Sequence, residues 1–374
     1  MLLESSDSVE TIVDPKDAAE SVGLKYVSDG RAGVRRKKVG TGFAYTRADG
    51  SKLLEKDILK RIKALAVPPA WTDVWICPFS DGHIQATGRD AKGRKQYRYH
   101  ARFREVREST KYEHVVAFAA ALPGIREKVG EHMALRGLPR EKVLATVVHL
   151  LETTLIRVGN DEYADQNKSY GLTTLKTRHV AIDGNEVRFR FTGKSGKQWS
   201  LRVRNRRVAK IIKACQELPG QELLQYVDEA GNCQDVTSTD VNDYLKEITG
   251  RDITAKDFRT WAGTVLAAMA LSELDSFDSA AQAKRNLRAA IEKVSGKLGN
   301  TPTICRKCYV HPEVLNSYMD GNLVLELKSK AESELREDVQ SLKPEEAAVL
   351  ALLRRRLAKE AERPAAKKHR AKVA

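Results

Sequence analysis

Several short stretches of this sequence carry side chains suited to chemistry. Gln96-Tyr97-Arg98-Tyr99-His100 interleaves aromatics with cations inside a basic segment. In an extended chain, alternation puts Tyr97 and Tyr99 on one face and Gln96 and Arg98 on the other. Arginine and lysine suit phosphate, and glutamine can read a base edge. The stretch is therefore either a nucleic-acid surface or a strand with its tyrosines in a core. Gly193-Lys194-Ser195 has the ending of a phosphate-binding loop, but such a loop needs a glycine five residues before Gly193, where Arg188 stands. Cys305-x-x-Cys308 has zinc spacing without a second pair, since Cys215 and Cys233 lie far apart, and the eight histidines form no ligand pattern. No metal site is expected. Four segments remain: Leu155-Ile-Arg157-Val-Gly-Asn160 with Tyr163; Ser169–Val180 running into Phe191-Thr-Gly-Lys194-Ser-Gly-Lys197; Lys256-Asp-Phe-Arg259-Thr-Trp261; and Asn300-Thr-Pro-Thr-Ile-Cys-Arg-Lys-Cys-Tyr309. Taken singly, each key residue has an ordinary reading. Arg157 suits the negative end of a helix dipole, Lys194 a solvated turn, Arg259 a surface pair with Asp257, and Tyr309 a core, with Tyr318 a rival phenol.

The elements that must position these groups fall into two patterns. From about 21 to 107 the chain reads as a small β-rich domain. Gly42–Tyr45, Trp75–Cys77 and His83–Ala86 are expected strands, separated by turn signals such as Ser28-Asp29-Gly30 and Asp49-Gly50. One helix is expected over Glu55–Leu65, ended by Pro68-Pro69. From 108 to about 325 helical spacing dominates, through Val115–Leu122 and through Val143–Leu155 with Asn160 as the stop. A hairpin interrupts it, Val187-Arg-Phe-Arg-Phe191 alternating out and Trp199-Ser-Leu-Arg-Val203 alternating back. Thr254-Ala-Lys-Asp257 has capping-box spacing for a helix through Leu271. Residues 1–20 are expected to be disordered. Residues 326–374 form a C-terminal helix, Glu345–Glu362, and a basic tail.

At 374 residues the chain is long enough for two domains, and its 41% hydrophobic content supports real cores. Its formal charge of +15 makes a polyanion the default partner. That charge is concentrated: residues 31–107 hold nineteen basic side chains against seven acidic. The apolar runs fall short of the ~20 residues a bilayer span needs, so no membrane association is expected. An acidic N-terminus and five cysteines, an odd number, suggest a reduced, cytoplasmic protein, nucleoid-associated if bacterial.

In their order along the chain, these segments resemble the small type IB DNA topoisomerases, the poxvirus and bacterial form. The family's signature is an Arg, a Lys on a hairpin, a Lys-x-x-Arg, then a His or Asn nine residues before a Tyr. Similarity also reaches Gly93–Tyr99, so it covers roughly residues 21–325. The resemblance implies an α+β protein, a β-rich N-terminal domain with a mainly helical catalytic domain bearing a β-hairpin, the two forming a clamp around duplex DNA. It implies a monomer that relaxes supercoils through a 3′-phosphotyrosyl intermediate. The catalytic set it implies is Arg157, Lys194, Arg259, Asn300 and Tyr309, with Gln96, Tyr97, Tyr99 and Tyr163 contacting DNA. No cofactor is implied. Guanidinium groups supply the charge that a metal supplies elsewhere, and the phosphotyrosyl bond keeps the energy that ATP would otherwise provide.

Geometry adds a constraint. Nine residues at 3.6 per turn is about 900°, so Asn300 and Tyr309 face opposite ways on one unbroken helix. Asn300 is expected before or at a helix start, since Pro302 suits an early helical position, and Tyr309 near or beyond its end. Asn300 stands where many relatives have His. An amide donates a hydrogen bond to phosphate but carries no proton. Two other classes are weighed. Tyrosine recombinases typically place His where this chain has Lys256, and act as tetramers. A non-enzymatic DNA-binding protein has no need of an intact Arg–Lys–Arg–Tyr set.

Overall fold

A computed structural model describes residues 15–91, 93–274, 277–331 and 342–361. The acidic residues 1–14, the basic tail from Pro364 and the Tyr163 side chain lie outside what is described. The chain divides into two compact units, Met1–Glu113 and His114–Ala374.

The first unit is built on a five-stranded antiparallel sheet. Its elements are α1 (Pro15–Glu20), β1 (Val34–Val39), β2 (Gly42–Thr46), α2 (Lys56–Ala64), β3 (Thr72–Ile76), β4 (Ile84–Arg89) and β5 (Lys95–Tyr99), followed by the start of α3 (Ala101–His132). The strand order is β2-β1-β3-β4-β5. Val34, Val74, Ile76 and Ala86 from the sheet bury against Leu53 and Ile62. The expected strands and helix are present. Two boundaries differ. Part of the supposedly disordered stretch is helical, because Ala18 and Ala19 of α1 bury against Leu24 and Phe103. The helical pattern also begins at Ala101, so the expected boundary at 107/108 falls inside α3.

The basic run in β1 is less uniform than its charge suggests. Arg36 turns inward and donates to the carbonyls of Val67, Pro68 and Trp71 at 2.8–3.0 Å. Its guanidinium lies 4.3 Å from the Phe43 ring. The Pro68 carbonyl already accepts from the Trp71 amide at 3.1 Å, and the planar guanidinium fork adds donors to it and to its two neighbours at this proline turn.

The second unit continues from His114 through α4 (Arg140–Thr154), α5 (Asp161–Asn167), β6 (Val180–Asp183), β7 (Glu186–Thr192), β8 (Gln198–Arg204), α6 (Arg206–Gln216), β9 (Gln225–Val227), β10 (Cys233–Asp235), α7 (Ser238–Thr249), α8 (Ala255–Ser272), α9 (Ala280–Leu298), α10 (Pro302–Tyr309), α11 (Pro312–Met319), α12 (Leu323–Ala331) and α13 (Pro344–Ala361). β7 and β8 form the expected hairpin, with Val187 opposite Val203, Phe189 opposite Leu201 and Phe191 opposite Trp199. β6 adds a third strand. The α8 capping box is formed: the Asp257 carboxylate accepts from the Thr254 amide and hydroxyl, both at 2.8 Å. One core runs through α3, α4, the hairpin and α6 to α9, and includes Val349, Leu350, Leu352 and Leu353 of α13. The C-terminal helix, set apart in the sequence reading, is thus part of this unit. Among the described residues, no helix is long and apolar enough to cross a membrane.

Candidate active site

Arg157 is placed by a helix that stops early. The apolar period runs on past Leu155, which led to Asn160 as the expected end, but α4 ends at Thr154 and Leu155 adopts a left-handed conformation (φ 57°). Tertiary pairing overrides the periodicity. The Leu172 amide donates to the Arg157 carbonyl at 2.9 Å, and the Thr173 amide to that of Val158 at 2.7 Å. Two glycines permit this approach. A Cβ on Gly159, whose φ is +125°, would lie 2.5 Å from the Thr173 hydroxyl, and one on Gly171 would lie 2.6 Å from the Gly159 Cα. Arg157 therefore sits on a bracketed extended segment, and its side chain donates to the Gly299 carbonyl at 3.2 Å and to Asn300 Oδ1.

Arg259 lies in the second turn of α8 and is 3% exposed. It donates to the Leu155 carbonyl and, at 2.6 Å, to that of Leu298. Those carbonyls close α4 and α9, whose C-terminal ends lack intrahelical partners and carry partial negative charge. The two arginines thus tie together chain ends that are distant in sequence. Among the described residues neither has a carboxylate within salt-bridge distance. Asp257, the expected surface partner of Arg259, is engaged by the α8 cap and by His114 Nε2 at 3.1 Å. Burial lowers the Arg157 pKa, offset in part by Tyr309. Burial and then the Arg157 charge push Arg259 down to about 10, again offset in part by Tyr309. Two like charges held close in a desolvated site favour an incoming anion.

Tyr309 is the last residue of α10, whose cap is Thr301 and whose first residue is Pro302. Asn300 follows Gly299, the left-handed cap of α9. Asn300 and Tyr309 therefore stand at opposite ends of α10, as the spacing requires. The Arg259 guanidinium carbon is 5.2 Å from the Tyr309 ring centre. Asn300 Nδ2 and Arg259 Nε are buried and have no hydrogen-bond partner among the described residues. The rival phenol, Tyr318, is 4% exposed with its hydroxyl 2.7 Å from Asn286 Nδ2, and so belongs to the core.

Lys194 sits at the hairpin tip, on a turn that Ser195 closes with a φ of 65°. The tip leans on the end of α9, where Lys197 Nζ donates to the Gly296 carbonyl at 2.9 Å. A cavity of about 390 Å³ is lined by Arg157, Lys194, Arg259 and Tyr309, together with Asn160, Tyr170 and Lys256. Asn300 joins this group through Arg157 rather than through the cavity wall. A larger, more open hollow of about 500 Å³ on the hairpin, lined by Arg190, Phe191 and Trp199, contains none of the five.

Tyr170, Gly159 and Gly171 were not singled out from the sequence, and Lys256 was named for standing where tyrosine recombinases place His but not as a site residue. Lys256 had a signal, since i and i+3 place it on the Arg259 face of α8. The glycines had none beyond their type. Cys305 is a buried filler whose thiol burial pushes up to about 11. Cys308 is only half-buried.

The DNA-contact candidates of the first unit divide between two roles. Tyr97 and Tyr99 stack with ring centres 5.8 Å apart. Tyr97 is 43% exposed, whereas Tyr99 packs towards Phe103. Gln96 Nε2 donates to Asp90 at 3.1 Å. Arg98 is structural, donating to the Ala66 carbonyl at 3.0 Å.

Residues 100–338 match a family model described as the catalytic core of eukaryotic DNA topoisomerase I, and residues 42–90 one described as the N-terminal domain of bacterial DNA topoisomerase IB. A DNA topoisomerase 1B of Acanthamoeba polyphaga mimivirus is 31% identical over 296 residues, 77% of this chain and 88% of the viral one. One of vaccinia virus (strain Copenhagen) is 24% identical over 241 residues, 63% of this chain and 73% of its own. A DNA topoisomerase 1 of rabbit fibroma virus is 22% identical over 272 residues, covering 69% and 80%.

Proposed function

Since the chain belongs to the type IB DNA topoisomerases, an isomerase family that acts on DNA, we propose that Tyr309 is its nucleophile and that Arg157, Arg259, Asn300 and Lys194 serve the same phosphate. The Tyr309 oxygen attacks a backbone phosphorus. A P–O bond to the phenol forms, the bond to the 5′ oxygen breaks, and the 3′ end stays on the protein. A phenol has a pKa of about 10, so it sheds its proton as it attacks, helped by the cations beside it. Charge grows on the non-bridging oxygens. Each guanidinium presents a planar fork of donors to them, and Asn300 Nδ2 adds a neutral one. Lys194 protonates the departing 5′ oxygen from the hairpin tip. Religation is the reverse, and strand rotation between the two steps removes torsional strain. The bond exchange conserves a phosphodiester, so no nucleotide is needed, and the guanidinium groups supply the charge that a metal supplies elsewhere.

The observation that carries this reading is a buried Arg259 and a half-buried Arg157, with no carboxylate in reach among the described residues, flanking a phenol in one cavity that Lys194 also lines. All five groups come from one chain, which supports a monomer acting on duplex DNA, and the odd count of five cysteines supports a reduced, cytoplasmic setting. Tyr97 and Gln96 then belong to the DNA surface of the first unit.

The test is relaxation of supercoiled plasmid in EDTA without ATP. A ladder of relaxed topoisomers is expected, with a protein–DNA adduct on denaturation. Tyr309→Phe should bind DNA but neither cleave nor relax it. Relaxation by that variant removes Tyr309 from the nucleophile role.

A further inference from the structure

Helix α8 does more than carry Arg259. One turn further along it, Gly263 faces the backbone of Tyr309. A Cβ there would lie 2.4 Å from the Tyr309 carbonyl oxygen, 3.1 Å from the Tyr309 Cβ and 3.2 Å from a Leu298 methyl. The next residue, Thr264, is fully buried. Its hydroxyl accepts from the His311 amide at 3.1 Å and lies 3.5 Å from the Tyr309 carbonyl oxygen. It also donates to the Thr260 carbonyl at 2.8 Å. Its single proton is therefore shared between α8 and the nucleophile segment. The chain at Tyr309 is at the end of α10, where a carbonyl loses its intrahelical partner and an amide beyond it has no helix to join. Thr264 meets both sides of that break.

We propose that Gly263 and Thr264 are positioning residues for the nucleophile. A bare Cα lets the Tyr309 backbone reach α8, and a hydroxyl fixes it there. The phenol is thereby held at a set distance from Arg259, which the same helix presents one turn earlier. This rests on Tyr309 being the nucleophile. Adding a methyl at Gly263 moves the segment back by about 1 Å to reach ordinary contact, and a displacement of that size costs an active site about 100-fold.

The experiment uses the full chain with Thr264→Val, which keeps the shape and loses the hydroxyl, Thr264→Ser, which restores it, and Gly263→Ala. Single-turnover cleavage and religation of a duplex are followed at saturating protein, with the amplitude giving the active fraction. Thr264→Val and Gly263→Ala should slow both directions by about 10- to 100-fold, with the cleaved fraction at equilibrium, the amplitude and DNA affinity unchanged. Thr264→Ser should return to within a few-fold of the parent chain. A poorly folded variant loses amplitude, whereas the rate of its remaining active molecules still reports positioning. A parental cleavage rate in Thr264→Val, with or without lost amplitude, overturns the proposal. Tyr309→Phe serves as the control: if it still forms the adduct, the nucleophile assignment fails, whereas a dead Tyr309→Phe beside a fast Thr264→Val sinks only the positioning role.

Discussion

At the scale of the residue, the site is a problem in charge. Arg259 is held among carbonyls rather than carboxylates, and its pKa is pushed down to about 10 by burial and the neighbouring Arg157. It is still protonated at neutral pH, and a phosphate restores the counter-charge that the protein withholds. Arg259→Lys keeps the charge but loses the planar fork. Cleavage by this variant should fall about 10²–10³-fold, the scale of one lost donor to a developing oxyanion, while DNA affinity changes far less. Rapid-quench cleavage beside filter binding separates the two. Lys194 makes a different claim. Lys194→Ala should slow cleavage of ordinary DNA by about 10²–10⁴-fold, the scale of a general acid. On a substrate whose 5′ leaving atom is sulfur, which departs without a proton, most of that loss should vanish. If the sulfur substrate shows the same deficit, the proton comes from another group.

Elements place these residues, and they are tied at their ends. α4, α9 and α10 all deliver a functional group at or just beyond a terminus, where unpaired backbone groups are available to be bridged. The region that follows Tyr309 is tied by Arg356 of α13, which donates to Glu326 of α12 at 3.0 Å, to Asp320 at 3.0 Å and to Glu313 of α11 at 3.4 Å. Burial raises the Glu326 pKa, but its bonds from Arg356 and Ser317 lower it further, and the net shift is downward. A carboxyl whose folded pKa lies below its unfolded value stabilises the fold above the usual carboxylate range, and this is lost as pH falls through the folded value. Arg356→Met leaves that carboxylate nearly buried without a counter-charge, its bond from the Ser317 hydroxyl remaining, at a cost of about 3 kcal/mol. Denaturant midpoints should show this loss near neutrality and a smaller one at about pH 4, where glutamate protonates. An equal loss at both pH values removes the ion pair from the explanation.

For the whole molecule the governing quantity is the net charge of +15, of which residues 31–107 carry +12. Not all of it is available to DNA, because Arg36 and Arg98 are spent on carbonyls within the unit. If binding rests on phosphate contacts, log affinity should fall linearly with log salt, with a slope of about −0.9 per contact on B-DNA. Fluorescence anisotropy across a salt series measures it. Lys38→Ala, at an exposed position of β1, should flatten the slope by about one unit, whereas Arg98→Ala should act through stability instead. A slope that ignores salt places the affinity elsewhere.

Much was legible in the sequence because it depends on local rules. Alternation marks β7 and β8, the Thr254–Asp257 spacing marks the start of α8, and the nine-residue offset of Asn300 and Tyr309, with Pro302 as an early helical position, places one group at each end of a helix. The order of the motifs carried the family. Other features were illegible because their causes lie across the chain. No local signal stops α4 at Thr154, since the apolar period continues and the end is set by pairing with residues 171–173. Nor does the sequence show that Arg36 faces inward while Tyr97 faces out. Gly263 is an unremarked glycine in an apolar helix until the Tyr309 backbone is seen against it. Sequence alone therefore determined which chemistry the chain carries. Tertiary structure decided which arginines lose water and carboxylate partners, because desolvation and close approach depend on residues that meet only in the folded chain.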